Sequence, residues 1–341
     1  MPSSHLVRFV VGIIKGRSER ASCSSAVGRQ CLEGALFLDR CGPVPRHSLT
    51  QPANTHTHFD GDDFRFERAD RPVHPQLRGL VDDWFGYQDA APQRVCRRLL
   101  PEATVTVYFG FGDPPNLYES RTGRQLDATP QCFVGGLHDS SVLSESVPGM
   151  RLVQVQLTPL AAYALFGVPM HELAGRVVDL ADVAGRSARE IPARLGESPD
   201  WATRFALLDE LLIAGLAEGS TPDRQVDFAW RALCRSDGQY TIAELADTIG
   251  WSRRHLDRKF QEQIGLPPKT VARILRLRRA VSLLRLENAL SVADIAATCG
   301  YYDQAHLNLD FSTIVGTTPT GLLAEEAAIS RTLIADRHLD S

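Results

Sequence analysis

The sequence predicts two domains: an α+β N-terminal domain with antiparallel strands, and an all-α C-terminal domain with two helix-turn-helix units joined by a long helix. The length of 341 residues suits one or two ordinary hydrophobic cores. Short segments of alternating apolar residues before about residue 158 indicate strands, whereas a period of 3.6 after Trp201 indicates helices. The third observation is that one block of the helical part occurs twice.

The beginning of the chain, residues 1–66, is rich in Ser, Arg, Gly and Pro and has no sustained period, so we expect a poorly ordered leader. Within it, His56 and His58 could begin a metal site of a barrel hydrolase, but the further ligands that such a site needs do not follow. We therefore expect no metal. Apolar residues between Leu77 and Phe85 recur at helical spacing and predict a short helix.

Three later segments of the N-terminal domain predict strands. Residues 104–111 and 151–157 alternate between apolar and polar side chains, and residues 133–138 are typical of a strand bent at its glycines. A hydroxyl N-cap followed by proline then starts a helix over residues 158–166. These elements favour a small domain in which antiparallel pairing dominates.

From Trp201 onwards the apolar residues follow the period of a helix. A Gly-Ser-Thr-Pro segment at residues 219–222 interrupts the pattern, and we expect the domain boundary there. The sequence is thus divided into an N-terminal domain of residues 67–218, a helical domain of residues 223–325 and a C-terminal tail of residues 326–341.

The repeated block is Thr241–Gly250, which matches Ser291–Gly300 position for position. Each copy begins with a hydroxyl N-cap, has an acid three residues later and ends at a glycine suited to a positive-φ C-cap. A second helix follows, starting at Ser252 in the first copy and at Asp303 in the second. Two helices joined in this way form a helix-turn-helix unit, whose second helix enters the major groove. Two tandem copies therefore predict a domain that binds double-stranded DNA.

The charge distribution points the same way. The net charge of the whole chain is −4, yet residues 253–285 hold ten Arg or Lys residues against two acids. Such segregation is typical of a module that binds a polyanion, joined to one that does not. A solvated helical face is the alternative interpretation of the charge run alone.

On these residues the chain resembles the AraC/XylS family of bacterial transcription regulators. The second copy carries A-D-I-A, C-G-Y, Q-x-H-L and G-T-T-P in the order of the family signature, and the first copy carries S-R-R-H-L-x-R-x-F. The resemblance covers roughly residues 223–325. Two further motifs, near residues 71–78 and 167–173, resemble the sensor domain of one branch of these regulators. Residues 67–218 are therefore expected to form a sensor or regulatory domain.

The family places its base-reading side chains early in each recognition helix. The resemblance implies DNA contacts by Ser252, Arg253, Arg254, Asp257, Arg258, Lys259, Asp303, Gln304 and Asn308. Opposite Arg258, however, the second copy has Leu309, where the family usually has a cation, and its recognition helix has two Asp and no Arg or Lys. We therefore expect the first copy to read bases, and the second to complete the core and contact DNA weakly.

The N-terminal domain could bind a small, partly apolar effector. The residues predicted to line its pocket are Glu102, Tyr108, Phe109, Phe111, Phe133 and His138. The same side chains could equally be ordinary core residues. RNA polymerase and a second copy of the chain are the other partners that such a regulator would have.

Other classes of protein are disfavoured. The chain has no run of about 18 apolar residues that would predict a membrane helix. Its seven cysteines form no C-x-x-C pair, which fits a reducing cytoplasm. It has no nucleophile elbow, P-loop or dinucleotide fingerprint, so we expect neither an enzyme nor a cofactor. An interaction or regulatory protein with weakened DNA binding is the alternative to a DNA-binding regulator.

Overall fold

The structure, a computed structural model, describes residues 55–60, 65–89, 94–126, 129–286 and 290–335. Within these residues, ten strands form two antiparallel sheets. The strands are β1 Thr55–Asp60, β2 Arg65–Asp70, β3 Val81–Asp89, β4 Cys96–Leu99, β5 Val105–Gly110, β6 Asn116–Glu119, β7 Cys132–Gly135, β8 Val142–Glu145, β9 Arg151–Leu157 and β10 Val177–Asp179. The larger sheet has the order β1-β2-β3-β9-β5-β7-β10, and the smaller has the order β4-β8-β6.

The three strands predicted for residues 104–111, 133–138 and 151–157 are confirmed as β5, β7 and β9, although β7 ends at Gly135. They are neighbours in the larger sheet, where Val107 pairs with Val155 on one side and with Val134 on the other. All three valines are buried in the core beneath the helices. The opposite face of β5 is also covered, since Tyr108 is buried in a separate cluster with Phe133.

The prediction of a helix between Leu77 and Phe85 is wrong. Only a short 3-10 turn, Pro75–Leu77, precedes β3. This strand lies between β2 and β9 and forms ladder hydrogen bonds with both. Apolar residues at i, i+3 and i+4 fall on both faces of a strand, so the same pattern also suits a central strand that is buried on both faces. Pairing with distant strands, rather than local spacing, therefore decides the structure here.

Part of the segment predicted as a leader, residues 1–66, forms a strand. Strand β1 pairs with β2 along its whole length, from Thr55 opposite Asp70 to Asp60 opposite Arg65. An edge strand needs a partner on one side only and no long apolar run, so its polar composition gave no signal. Residues 1–54 lie outside the described residues.

Four helices complete the N-terminal half: α1 Pro159–Phe166, α2 Leu180–Ala184, α3 Ile191–Glu197 and α4 Trp201–Ala217. The predicted caps of α1 are confirmed, since Thr158 accepts a hydrogen bond from the backbone N–H of Ala161 and Gly167 ends the helix at φ 64°. These helices bury their apolar side chains against one face of the larger sheet.

The C-terminal half is helical, as predicted. Its helices are α5 Arg224–Arg235, α6 Ile242–Ile249, α7 Arg253–Ile264, α8 Pro268–Leu284, α9 Val292–Thr298, α10 Gln304–Asp310 and α11 Pro319–Ala335. Helices α6 and α7 form the first helix-turn-helix unit, α9 and α10 form the second, and α8 is the long helix between them. A π-helical turn, Phe311–Val315, continues α10.

Two of the three buried clusters in the described residues hold the helical half together. One runs from the larger sheet through α4 to the first helix-turn-helix unit and contains Leu157, Leu208 and Leu233. The other holds the second unit and contains Leu277 and Phe311. The first unit therefore shares its core with the N-terminal half, although α4 and α5 are separated by the expected hinge segment.

The tail is predicted to start at residue 326, but this residue lies within α11, which extends to Ala335. Leu322 anchors this helix in the second core, and the alanines and glutamates that follow favour helix. None of the described helices is long and apolar enough to cross a membrane.

Candidate nucleic-acid interface

Caps fix the first helix-turn-helix unit locally. The side chain of Thr241 accepts a hydrogen bond from the backbone N–H of Glu244 at 3.2 Å, and the side chain of Glu244 accepts one from the backbone N–H of Thr241 at 3.3 Å, so the two form a capping box at the start of α6. Gly250 ends α6 at φ 71°, in the left-handed region that favours glycine. Ser252 then starts α7 by accepting from the backbone N–H of His255 at 3.2 Å. These caps determine where the recognition helix begins.

Three arginines lie on the free face of α7. Arg253, Arg254 and Arg258 are exposed, and none of them pairs with a carboxylate in the part of the chain that the structure describes. The Nη2 atom of Arg258 lies 3.2 Å from Nδ1 of His255. Guanidinium groups that are not paired with a carboxylate can bind guanine O6 and N7 bidentately or contact phosphates. The geometry of this face supports the predicted role in DNA binding.

Lys259 points away from this face. Its Nζ atom lies 3.2 Å from the carboxylate of Glu262 and 3.4 Å from that of Asp223, near the start of α5. Desolvation opposes the charge, but the bonds to these carboxylates raise the pKa of Lys259. The ammonium group of Lys259 is thus paired with carboxylates of the protein, and its contact with DNA stays a prediction.

Other cations of the basic segment are also compensated internally. The pairs are Arg273 with Asp310 at 2.6 Å, Arg279 with Asp237 at 3.9 Å and Arg285 with Glu326 at 2.7 Å. The basic segment therefore offers a polyanion less positive charge than its ten Arg and Lys residues suggest. Most of its exposed, unpaired arginines lie on α7.

A surface groove of about 390 Å³ runs beside the free face of α7. It is lined by His171, Arg254, Asp257, Arg258 and Gln261. His171 belongs to a 3-10 turn of the N-terminal half, which packs against α7. The half-buried Asp257 thus faces this groove together with the two arginines. Sequence reasoning missed His171, because its contact with α7 joins positions far apart in the chain.

The second recognition helix, α10, presents polar and apolar side chains together. Asp303 caps it by accepting from the backbone N–H of His306 at 2.8 Å. Gln304 and Asn308 are exposed and lie one turn apart. The side chain of Leu309 is 58% exposed, so it is not a core residue.

Asp310 differs from the other residues of α10. Its side chain is only 3% exposed, and its Oδ1 accepts hydrogen bonds from Nε and Nη2 of Arg273 at 3.1 and 2.6 Å. The same hydrogen bonds raise the pKa of Arg273. Of the two aspartates counted in this helix, Asp310 therefore points inward and is paired with Arg273 inside the protein.

The smaller sheet contacts the second unit at the π-helical turn. Arg98 donates from Nη1 to the carbonyl of Val315 at 2.9 Å and pairs with Glu325 at 2.9 Å. Ser141 donates from Oγ to the same carbonyl at 2.6 Å and from its backbone N–H to the carbonyl of Ile314 at 2.8 Å. The N-terminal half thus binds backbone atoms directly behind the second recognition helix. No local sequence signal indicates such a contact.

The predicted effector pocket does not exist as one cavity. Phe109 and Phe111 face the core beneath the helices, whereas Tyr108 and Phe133 stack at 4.5 Å on the other face of the sheet. Successive residues of a strand point to opposite faces, so Tyr108 and Phe109 cannot line the same pocket. The aromatic side chains do pack among apolar residues, but they lie in two separate buried clusters.

The two polar residues of the predicted pocket are only partly buried. Glu102 is half-buried, and Nδ1 of His138 lies 2.6 Å from the carbonyl of Gly136. Burial lowers the pKa of His138, against the effect of that hydrogen bond. The described N-terminal half has a different cavity, of about 50 Å³, lined by Val107, Phe109, Leu165, Phe166, Leu180, Ala184, Ala188, Ile191, Leu211 and Leu212. It is several times smaller than pockets for drug-sized ligands.

Two family models match parts of the chain. Residues 245–325 match a model described as a helix-turn-helix domain. Residues 71–179 match a model described as a domain of unknown function, DUF6597. The first match covers both recognition helices and the second lies within the strand-rich half.

Similar proteins match part of the chain. The chain is 40% identical over 70 residues to the F1 operon positive regulatory protein of Yersinia pestis, which covers 20% of this chain and 23% of that protein. It is 29% identical over 123 residues to the HTH-type transcriptional activator RhaR of Pectobacterium carotovorum, which covers 34% and 43%. The chain thus spans less than half the length of these two relatives. A solved transcriptional regulator of Chromobacterium violaceum, described as AraC-type, is 26% identical with a TM-score of 0.28, over 30% of this chain and 92% of that one.

Proposed function

We propose that the protein is a sequence-specific DNA-binding transcription regulator, because residues 245–325 match a helix-turn-helix model and part of the chain is similar to a transcriptional activator. The observation that carries the proposal is the free face of α7. Arg253, Arg254 and Arg258 are exposed at the start of a recognition helix without internal ion pairs among the described residues. Arginines placed in this way can read guanine in the major groove.

The long helix α8 supports a two-groove arrangement. It has 17 residues and therefore spans about 25 Å as a rigid rod between the two recognition helices. Successive major grooves on one face of B-DNA are about 34 Å apart, so one subunit can address both if the DNA bends slightly. In this arrangement the first unit is the main reader of bases.

The N-terminal half is proposed to modulate DNA binding. It shares a core with the first unit and contacts the second through Arg98 and Ser141, so a small ligand or partner that shifts its sheets would act on both recognition helices. We divide the chain for this purpose into a regulatory domain of residues 67–218 and a DNA-binding domain of residues 223–325. RNA polymerase and a second copy of the chain are proposed as further partners.

The test is selection of bound sequences from random DNA with the full-length protein, followed by affinity measurements across salt. We expect one enriched sequence and an affinity that falls as salt rises, because neutralised phosphates release counterions. Arg258→Ala should cost about 1–3 kcal/mol of binding free energy and relax the preference at one position. Arg189→Ala, which removes an exposed arginine of the N-terminal half, is the matched control and should keep the preference.

Two results would refute the proposal. One is the absence of any enriched sequence together with an affinity that does not depend on salt. The other is unchanged preference in both Arg258→Ala and Arg254→Ala. The first result would favour the alternative, an interaction protein that retains the fold with weakened DNA binding, and the second would exclude the arginines of α7 as the base readers.

A further inference from the structure

An exposed leucine, Leu309, lies on the outer face of α10, and the sequence alone does not assign it a role. Leu309 could have been a packing residue, but its side chain is 58% exposed, while the core of the second unit is closed by Leu307 and Phe311. A single exposed leucine is ordinary on a protein surface. Its place in the register of the two helix-turn-helix units makes it informative.

The register relates the two recognition helices residue by residue. At an offset of 51, Ala305 corresponds to Arg254 and Leu309 corresponds to Arg258. The structure supports this alignment, because Leu307 is buried like Leu256, its counterpart in α7. The two arginines that line the groove beside α7 are therefore replaced by two apolar residues in α10. Positions four residues apart lie on one helical face, so Ala305 and Leu309 form a short apolar strip.

The side chains around this strip are more compatible with DNA binding than the sequence indicates. Asp310 points inward to Arg273, and the carboxylate of Asp303 accepts from the backbone of its own helix. Beside the strip, Gln304 and Asn308 are exposed and carry amide groups. The outer face of α10 thus combines two apolar side chains with two side chains that can both donate and accept hydrogen bonds.

In the major groove, the 5-methyl group of thymine is the apolar group on a base edge, and small apolar side chains contact it. Glutamine and asparagine suit the N6 and N7 atoms of adenine, the partner of thymine. We propose that Ala305 and Leu309 read thymine 5-methyl groups in the half-site bound by the second unit. This inference rests on the proposed function. It replaces the weak role expected for α10 with direct readout by apolar contact, complementary to guanine readout by the arginines of α7.

The test compares two versions of the selected DNA site with the full-length protein. One version has thymine in the half-site of the second unit, and the other has uracil, which lacks the methyl group but keeps the hydrogen-bonding edge. The half-site of the second unit is assigned as the one that does not contain the position relaxed in Arg258→Ala. Affinities are measured by fluorescence anisotropy for the unchanged protein, Leu309→Ala and Leu286→Ala. Leu286 is also 58% exposed but lies outside both recognition helices, which makes it the matched control.

We expect uracil to weaken binding of the unchanged protein about fourfold for each contacted methyl group, the equivalent of burying one methylene. Leu286→Ala should show the same effect. Leu309→Ala should bind the thymine site more weakly and respond less to uracil, because the contact is already lost. This non-additivity is the signature of a direct interaction.

Equal affinity of the unchanged protein for both DNA versions would overturn the inference, as would an undiminished uracil effect in Leu309→Ala. A Leu309→Ala protein that binds both versions normally but yields less transcript with RNA polymerase would assign Leu309 to protein docking and also overturn it. Failure of the proposed function is distinguishable, because then no DNA sequence would be enriched at all.

Discussion

Replacing Asp310 by alanine tests whether this carboxylate holds the second unit together or faces DNA. Its Oδ1 accepts two hydrogen bonds from Arg273, and its side chain is 3% exposed. Removing one partner of a fully buried ion pair costs about 3–5 kcal/mol. The side chain of Arg273 is 36% exposed, so water would solvate part of the orphaned charge. We therefore expect Asp310→Ala to lower the free energy of unfolding by about 2–3 kcal/mol.

Urea unfolding followed by circular dichroism measures this loss. Asp247→Ala is the matched control, because it removes an exposed aspartate from α6 and should change stability by less than about 0.5 kcal/mol. In a salt titration, the folded Asp310→Ala protein should gain much less DNA affinity than a protein with a new cation on the outer face of α10. Unchanged stability together with clearly tighter DNA binding would refute the reasoning, since a free carboxylate would then face phosphate.

Three further outcomes follow from the packing. Gly86→Ala would place a Cβ atom against the ring of Trp201, closer than van der Waals contact allows, so urea unfolding should show a loss of about 1–3 kcal/mol, and no loss would contradict the packing. Arg98→Ala removes a hydrogen bond and an ion pair to the second unit and should cost about 1–2 kcal/mol, whereas equal stability in this variant and in the control Arg97→Ala would argue against that contact. Leu309→Arg should leave stability unchanged and steepen the salt dependence of DNA binding by about 0.9, while a destabilised protein would mean that Leu309 is packed.

Much of the helical half could be predicted from the sequence, because the signals that define it are local. Thr241 and Ser252 cap helices through hydrogen bonds that span three residues, and Gly250 ends α6 where a positive φ is needed. The strands β5 and β9 follow from alternation within a single segment. The exposed arginines of α7 follow from the same register once its N-cap is known.

The sequence by itself thus determined the two helix-turn-helix units, their caps and the strands that alternate strictly. Only the tertiary structure decided that β3 is a strand, that Asp310 points inward to Arg273, and that Arg98 contacts the second unit. The physical reason is the range of the interactions. Caps and alternation are satisfied within one turn or one strand, whereas ladder pairing and buried ion pairs join residues tens to hundreds of positions apart. Such partners become neighbours only when the chain has folded.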